Sequence, residues 1–259
     1  MRSSVSHSTL RVARFVGPVF TLAVVATALR LLAADVPTTP ALSTLAPAAD
    51  LEVAAQNYLT KIQGFLVDEA TFGKNKDQLS QKANAVVAIA QTLGNYDGKN
   101  KFQAGAVDAM KAAADLAKAG DYAAAKTAYD ALSAAMAKTG DAAAAPKWEK
   151  AARLGKLMHE TAEVNSRIRR NVRRFARTKS ESAEDAAVLL AFAQATIHDT
   201  HEVKNPADLP KWYAMAEDML NSAAALSKAS HGGDEAGFKA ALDKLGKNCD
   251  ACHEVFHTE

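Results

Sequence analysis

An all-α fold is the expectation for this 259-residue chain, and three observations carry it. The composition is Ala-rich and only 6% aromatic, with Gly and Pro sparse inside long segments, which favours helix. From Leu51 to the end, apolar residues recur at steps of three and four, the period of one helix face. The breaks in that period are short and carry turn or helix-start residues. A formal net charge of +2 gives no sign of a polyanion-binding protein, so no nucleic-acid partner is expected.

The first element is a leader. Arg2, Arg11 and Arg14 precede an apolar run from Phe15 to Leu29, and Leu31-Leu32-Ala33-Ala34 forms a plausible cleavage region. The run is too short, and too near Arg30, to span a membrane comfortably. Residues 1–34 therefore read as a signal peptide, and the chain as periplasmic or otherwise exported. An uncleaved anchor from Phe15 to Ala34 is the alternative, and membrane association is expected only in that case. Residues 35–49, with Pro37, Pro40 and Pro47 among Thr, Ser and Ala, read as a disordered linker.

The helices follow. Breaks near Gly73, Gly94–Gly98, Gly120, Gly140, Thr178–Ser180, His201–Asp208 and Gly232–Gly233 leave about eight of them. Asp121 after Gly120, Ser182 with Asp185 three residues on, Asp208 before Pro210, and Asp234 after two glycines are start signals. The helices divide as four and four. Val86-Val87-Ala88-Ile89-Ala90-Gln91 parallels Leu189-Leu190-Ala191-Phe192-Ala193-Gln194, Phe102 parallels Trp212, and Asp108 parallels Asp218. The run from Gly120 to Leu132 parallels Gly233 to Leu245, with Lys126 matching Lys239 and Asp130 matching Asp243. This order across three helices indicates an internal duplication, with halves at 50–145 and 146–259.

The chemistry sits at the very end. Cys249-Asp250-Ala251-Cys252-His253 holds both cysteines of the chain in a Cys-x-x-Cys-His run, the attachment signal for haem c. At about 100° per residue, Cys249, Cys252 and His253 share one helix face, so one face offers two thioether links and an axial imidazole to a flat ring. A redox dithiol would open a helix beside a βαβ pattern, and zinc would need about four ligands. Neither context is present in the sequence. Continuing the duplicated register places Met136, Thr139 and Gly140 opposite Cys249, Cys252 and His253, so the first half is expected to be haem-free.

Cys249-Asp250-Ala251-Cys252-His253-Glu254-Val255-Phe256, at the C-terminus of a fourth helix, resembles the cytochrome c-prime and cytochrome c-556 group, the class II c-type cytochromes. The resemblance covers about residues 150–259, and the first half only through the duplication. It implies two tandem antiparallel four-helix bundles, the C-terminal one holding a single covalent haem c. One departure is His257, where the family often has Arg or Lys.

In an up-down-up-down bundle the first helix starts beside the end of the fourth. The first helix of the haem half is expected from about Trp148 to Lys179, with an inward stripe of Leu154, Met158, Thr161, Asn165, Ile168, Val172 and Phe175. Met158 is thus the candidate distal iron ligand, with core packing as the alternative. His159 falls on the flank, and His198, His201 and His231 read as solvated. Trp212, Phe238, Leu242 and Leu245 read as core. Arg167, Arg169, Arg170, Arg173, Arg174, Arg177 and Lys179 form a basic stripe that is either a solvated face or a surface for an acidic redox partner or anionic lipid.

The function expected from these residues is a one-electron carrier with His253 as proximal ligand. The alternatives are a gas-binding haem protein with an open distal site, and a haem-bearing subunit docking through its haem-free half. No nucleophile–base pair or phosphate loop suggests an enzyme.

Overall fold

The computed structural model describes residues 35–141 and 144–257, and over these it is all-α. The leader expected at 1–34 lies outside the described residues. No helix among the described residues is long and apolar enough to cross a membrane.

The helices are α1 (Ala48–Phe65), α2 (Glu69–Gly94), α3 (Ala106–Ala117), α4 (Tyr122–Met136), α5 (Leu154–Asn171), α6 (Phe175–Ile197), α7 (Leu209–Gly232) and α8 (Glu235–Phe256). Three of the N-termini are capped by aspartates whose side chains accept a backbone N–H three residues on: Asp68 from Thr71, Asp121 from Ala124 and Asp234 from Gly237. Gly233, at φ 67°, closes α7 in the left-handed conformation that glycine adopts without penalty.

The middle of the molecule is made by α2 and α6. Every residue from Gln81 to Gly94 and from Asp185 to Ile197 is buried, so these stretches are enclosed on all faces. That explains the two similar apolar runs, and small alanines let neighbouring backbones approach. Within each half, consecutive helices pack on one another. Between the halves the packing is reciprocal: α1 lies on α6, α5 lies on α2, and α2 lies on α6.

A buried polar cluster sits in that shared interface. Glu160 on α5 is fully buried; it accepts from Tyr58 on α1 at 2.6 Å and from Gln81 on α2 at 2.8 Å, and pairs with Lys82. Lys82 also pairs with Glu163. Burial, then the Glu160 carboxylate, pushes the Tyr58 phenol well above its ordinary value. Arg167 donates to Asp185 on α6 through two nitrogens, at 2.7 and 3.2 Å. Burial works against the Arg167 charge, yet the bonds to Asp185 leave it held more firmly protonated than usual. Burial raises Asp185 despite that partner.

Three sequence expectations need correction. The stretch 35–49 is tied down, not free: a 3₁₀ turn spans Leu42–Thr44, Leu42 and Ala46 are buried, and Thr39 donates to Gln194 at 3.1 Å. Tyr96 donates to the Ala46 carbonyl at 2.8 Å and Asp97 accepts the Ser43 N–H at the same distance, so proline content misled where side-chain partners decide. Second, the helix expected from Trp148 to Lys179 is interrupted. It begins at Leu154, ends at Asn171, and a 3₁₀ turn at Val172–Arg174 leads into α6. Its early part is replaced by a strap across α2, where Gln91 donates to the carbonyls of Lys147 and Glu149 and Asn84 accepts from the Arg153 N–H. Gly94 leaves room for the strap, since a Cβ there would lie 2.6 Å from Pro146. Third, His198 is not a solvated residue: it stacks on Trp148 at 5.2 Å, and burial lowers its pKa.

Candidate functional site

The site grows out of the core stripe of α8. Phe238, Ala241, Leu242 and Leu245 are buried at helical spacing against the rest of the C-terminal half. The same stripe continues through Cys249, Cys252 and Phe256, but from Cys249 on these positions are only half-buried. A core-facing edge therefore runs on past the protein that would cover it, and the two thiols occupy it. His253, one residue round the helix, is exposed. In the first half, α4 stops at Met136, the residue opposite Cys249, so the final turns of α8 have no helical counterpart there.

Neighbouring contacts set the direction of these turns. Phe256 meets Trp212 at the start of α7 edge-on at 5.0 Å, and Trp212 in turn donates to the Thr196 carbonyl near the end of α6 at 3.1 Å. Asn248 donates to the Met215 carbonyl at 2.9 Å, holding α8 against α7 one residue before Cys249. Both cysteines are free thiols. Burial, then Asp250, raises the Cys249 pKa, with Arg169 acting in the opposite sense; burial and Cys249 raise that of Cys252.

The opposite wall is α5. While α8 packs extensively on α7, it has no comparable packing against α5, and the two meet through a long side chain: Arg169 Nη2 lies 2.8 Å from where a Cβ on Gly246 would be. Met158, Asn165 and Arg169 recur at spacings of seven and four, within about 40° of one another around the α5 axis. That arc is the flank turned toward α8.

Here the expected stripe is revised. The arc buried against the other helices centres on Leu157, Glu160, Val164 and Ile168, so Met158 and Asn165 are half-buried at its edge. Phe175 is buried as expected, against Phe238 at 4.8 Å, but it opens α6. His159 is exposed. Trp212, Phe238, Leu242 and Leu245 are core.

The donor set fits a haem: two free thiols and an adjacent imidazole lie at the end of α8, beside an α5 flank on which α8 has little packing. A planar group carried by Cys249 and Cys252 would enter the weakly packed seam between α5 and α8. Cys249, Cys252 and His253 would hold it, with Met158 on the facing helix. Arg169 and Gly246 were the parts of this site that the sequence did not reveal; a helix-interior glycine one turn before a functional residue was the available signal.

Among known proteins, the family model described as cytochrome C' matches residues 204–257, which is α7 and α8 with the turn before them. Neither curated proteins nor solved structures give a match.

Proposed function

We propose that this chain is an exported c-type cytochrome that carries one electron through a single covalent haem c. The observation that carries this reading is the Cys249–Cys252–His253 face, continuing the core stripe of α8 beside α5, on which it has little packing. The match of residues 204–257 to cytochrome C' supports it. Haem, when bound, supplies the one-electron iron couple. Cys249 and Cys252 would hold it through two thioether links, and His253 would ligate its iron; the exposed His253 ring is within reach of His257, with ring centroids 5.5 Å apart. Met158 on α5 would be the second protein ligand. Trp212 on α7, packed against Phe256, covers one side of the thiol-bearing turns. No catalytic turnover is assigned to the protein.

In this reading the halves 50–145 and 146–259 are duplicated four-helix bundles. The first is haem-free, and residues 1–34 act as the export leader.

The test is spectroscopic. Protein matured in a periplasm competent for haem attachment should gain the mass of one haem, and Cys249→Ala/Cys252→Ala should gain none. The ferric spectrum should be low-spin, and Met158→Ala should convert it to high-spin and open the ferrous form to CO. Two unmodified thiols would overturn the assignment. A high-spin spectrum unchanged by Met158→Ala would replace the carrier by a gas-binding protein with an open site.

A further inference from the structure

Seven basic residues lie between Arg167 and Lys179, and the fold separates their roles. Arg167 is spent internally on Asp185. Arg170 donates to Ser166 at 2.8 Å and lines a cleft with Lys61, Glu181 and Glu184. Arg169, Arg173, Arg174, Arg177 and Lys179 are exposed, and none has a carboxylate within ion-pair distance among the described residues. They lie on and around the 3₁₀ turn at Val172–Arg174, which brings them near one another in the fold.

This basic ridge approaches the thiols at one end only. Its inner end, Arg169, lies against Gly246 one turn before Cys249, and is close enough to bear on the Cys249 thiol. Its outer end starts α6, where Phe175 contacts Phe238 on α8. Arg173, Arg174 and Arg177 therefore stand around the start of α8, about 16 Å along that helix from Cys249, and only Arg169 borders the thiol-bearing turns. Asp250 and Glu254, both exposed, stand on those turns themselves, so the charge around the site is polarised and not uniformly positive.

We infer that this ridge is the docking surface for an acidic redox protein, whose carboxylates meet Arg169, Arg173, Arg174 and Arg177 and so bring its redox centre to the α5–α8 seam. The inference rests on the haem assignment above. A clustered, unpaired charge raises the encounter rate with an oppositely charged partner and orients it, and salt screens the effect. A protein partner is favoured over an anionic membrane because lipid binding also wants an apolar wedge. The large exposed apolar side chains among the described residues are Val36, Val53, Val67 and Val107, all outside the ridge.

The experiment uses the haem-loaded full chain and a purified acidic flavodoxin, fully reduced, as the electron donor. One electron leaves the flavin and one arrives at the ferric iron, with no bond made or broken, and stopped-flow absorbance of the haem follows it. The second-order rate constant should fall steeply with ionic strength. In Arg173→Glu/Arg174→Glu/Arg177→Glu it should drop by about tenfold or more at low salt and lose its salt dependence. Arg173→Lys/Arg174→Lys/Arg177→Lys should keep most of the rate. An unchanged rate and salt slope in the charge-reversed protein, with its haem spectrum and attached mass intact, would overturn the docking surface and leave the haem assignment standing. So would binding of the wild type to vesicles of phosphatidylserine and phosphatidylcholine combined with indifference to the flavodoxin. Absence of attached haem would instead remove the assignment itself.

Discussion

At the scale of single residues, the most consequential feature outside the thiols is the charge on Glu160. A fully buried carboxylate is tolerable only when each oxygen has a partner, and here Tyr58, Gln81 and Lys82 supply them. Lys82 is itself only 5% exposed, so neither charge has water to fall back on. Lys82→Met keeps the volume of the side chain but removes the nearest cation, leaving Glu160 with Tyr58, Gln81 and Arg167 at 3.9 Å, and should cost about 3–5 kcal/mol in urea unfolding. Lys82→Met/Glu160→Gln removes both charges and should recover a large part of that loss. A single-mutant cost below about 1 kcal/mol would mean the cluster is solvated. This pair was not legible in the sequence: Glu160 reads as a polar residue on an amphipathic helix, and its partners lie about 80 and 100 residues away. The haem motif was legible for the opposite reason. Its chemistry is local, contained in five consecutive residues whose helical spacing alone brings them to one face.

At the scale of elements, the sequence period marked the helices but neither all their bounds nor their facing: the breaks expected at Gly73 and Thr178–Ser180 lie inside α2 and α6. For α8 one neighbouring surface decides burial, and Phe238, Leu242 and Leu245 lie inward as the pattern says. For α5 two surfaces compete, its own half and α2. The buried arc turns toward Leu157 and Val164, leaving Met158 at the seam instead of at the centre. The α5–α6 break was expected at Thr178–Ser180 and falls earlier, at Val172–Arg174, a stretch with neither Gly nor Pro to mark it. The α3–α4 contact shows how tightly elements can meet where a glycine allows it. A Cβ at Gly105 would lie 1.8 Å from the Ala135 carbonyl oxygen, a backbone atom that cannot swing aside. Gly105→Ala should therefore cost about 2 kcal/mol or more in chemical denaturation, as expected of overpacking. Gly64→Ala, where nothing stands within 4 Å, is the control and should not destabilise. Equal behaviour of the two variants would mean the α3–α4 junction is loose.

At the scale of the molecule, the halves share one core and are not beads on a string. Residues from Asp35 to the C-terminus form one compact unit. The contacts of α1 with α6, α5 with α2, and α2 with α6 are reciprocal, as an isologous dimer interface would be, but between parts of one chain. The interface carries Glu160, Lys82 and Tyr58 in its interior, and the strap after α4 is held on α2 by Gln91 and Asn84. Neither half can separate without exposing enclosed helices and a buried charge. Calorimetry of the full chain should accordingly show one transition, with calorimetric and van't Hoff enthalpies in agreement. A fragment of residues 146–257 loses the Tyr58, Gln81 and Lys82 partners of Glu160 and the α1 and α2 surfaces that cover α5 and α6. It should remain unfolded as a monomer, or fold only by pairing with a second copy through the same faces. Sedimentation of the haem-attached fragment distinguishes these, since a concentration-dependent dimer with native helicity is the second outcome. A stable, folded monomeric fragment with the spectrum of the full chain would show that the first half is an accessory, and would move its role from supporting the haem bundle to binding something else.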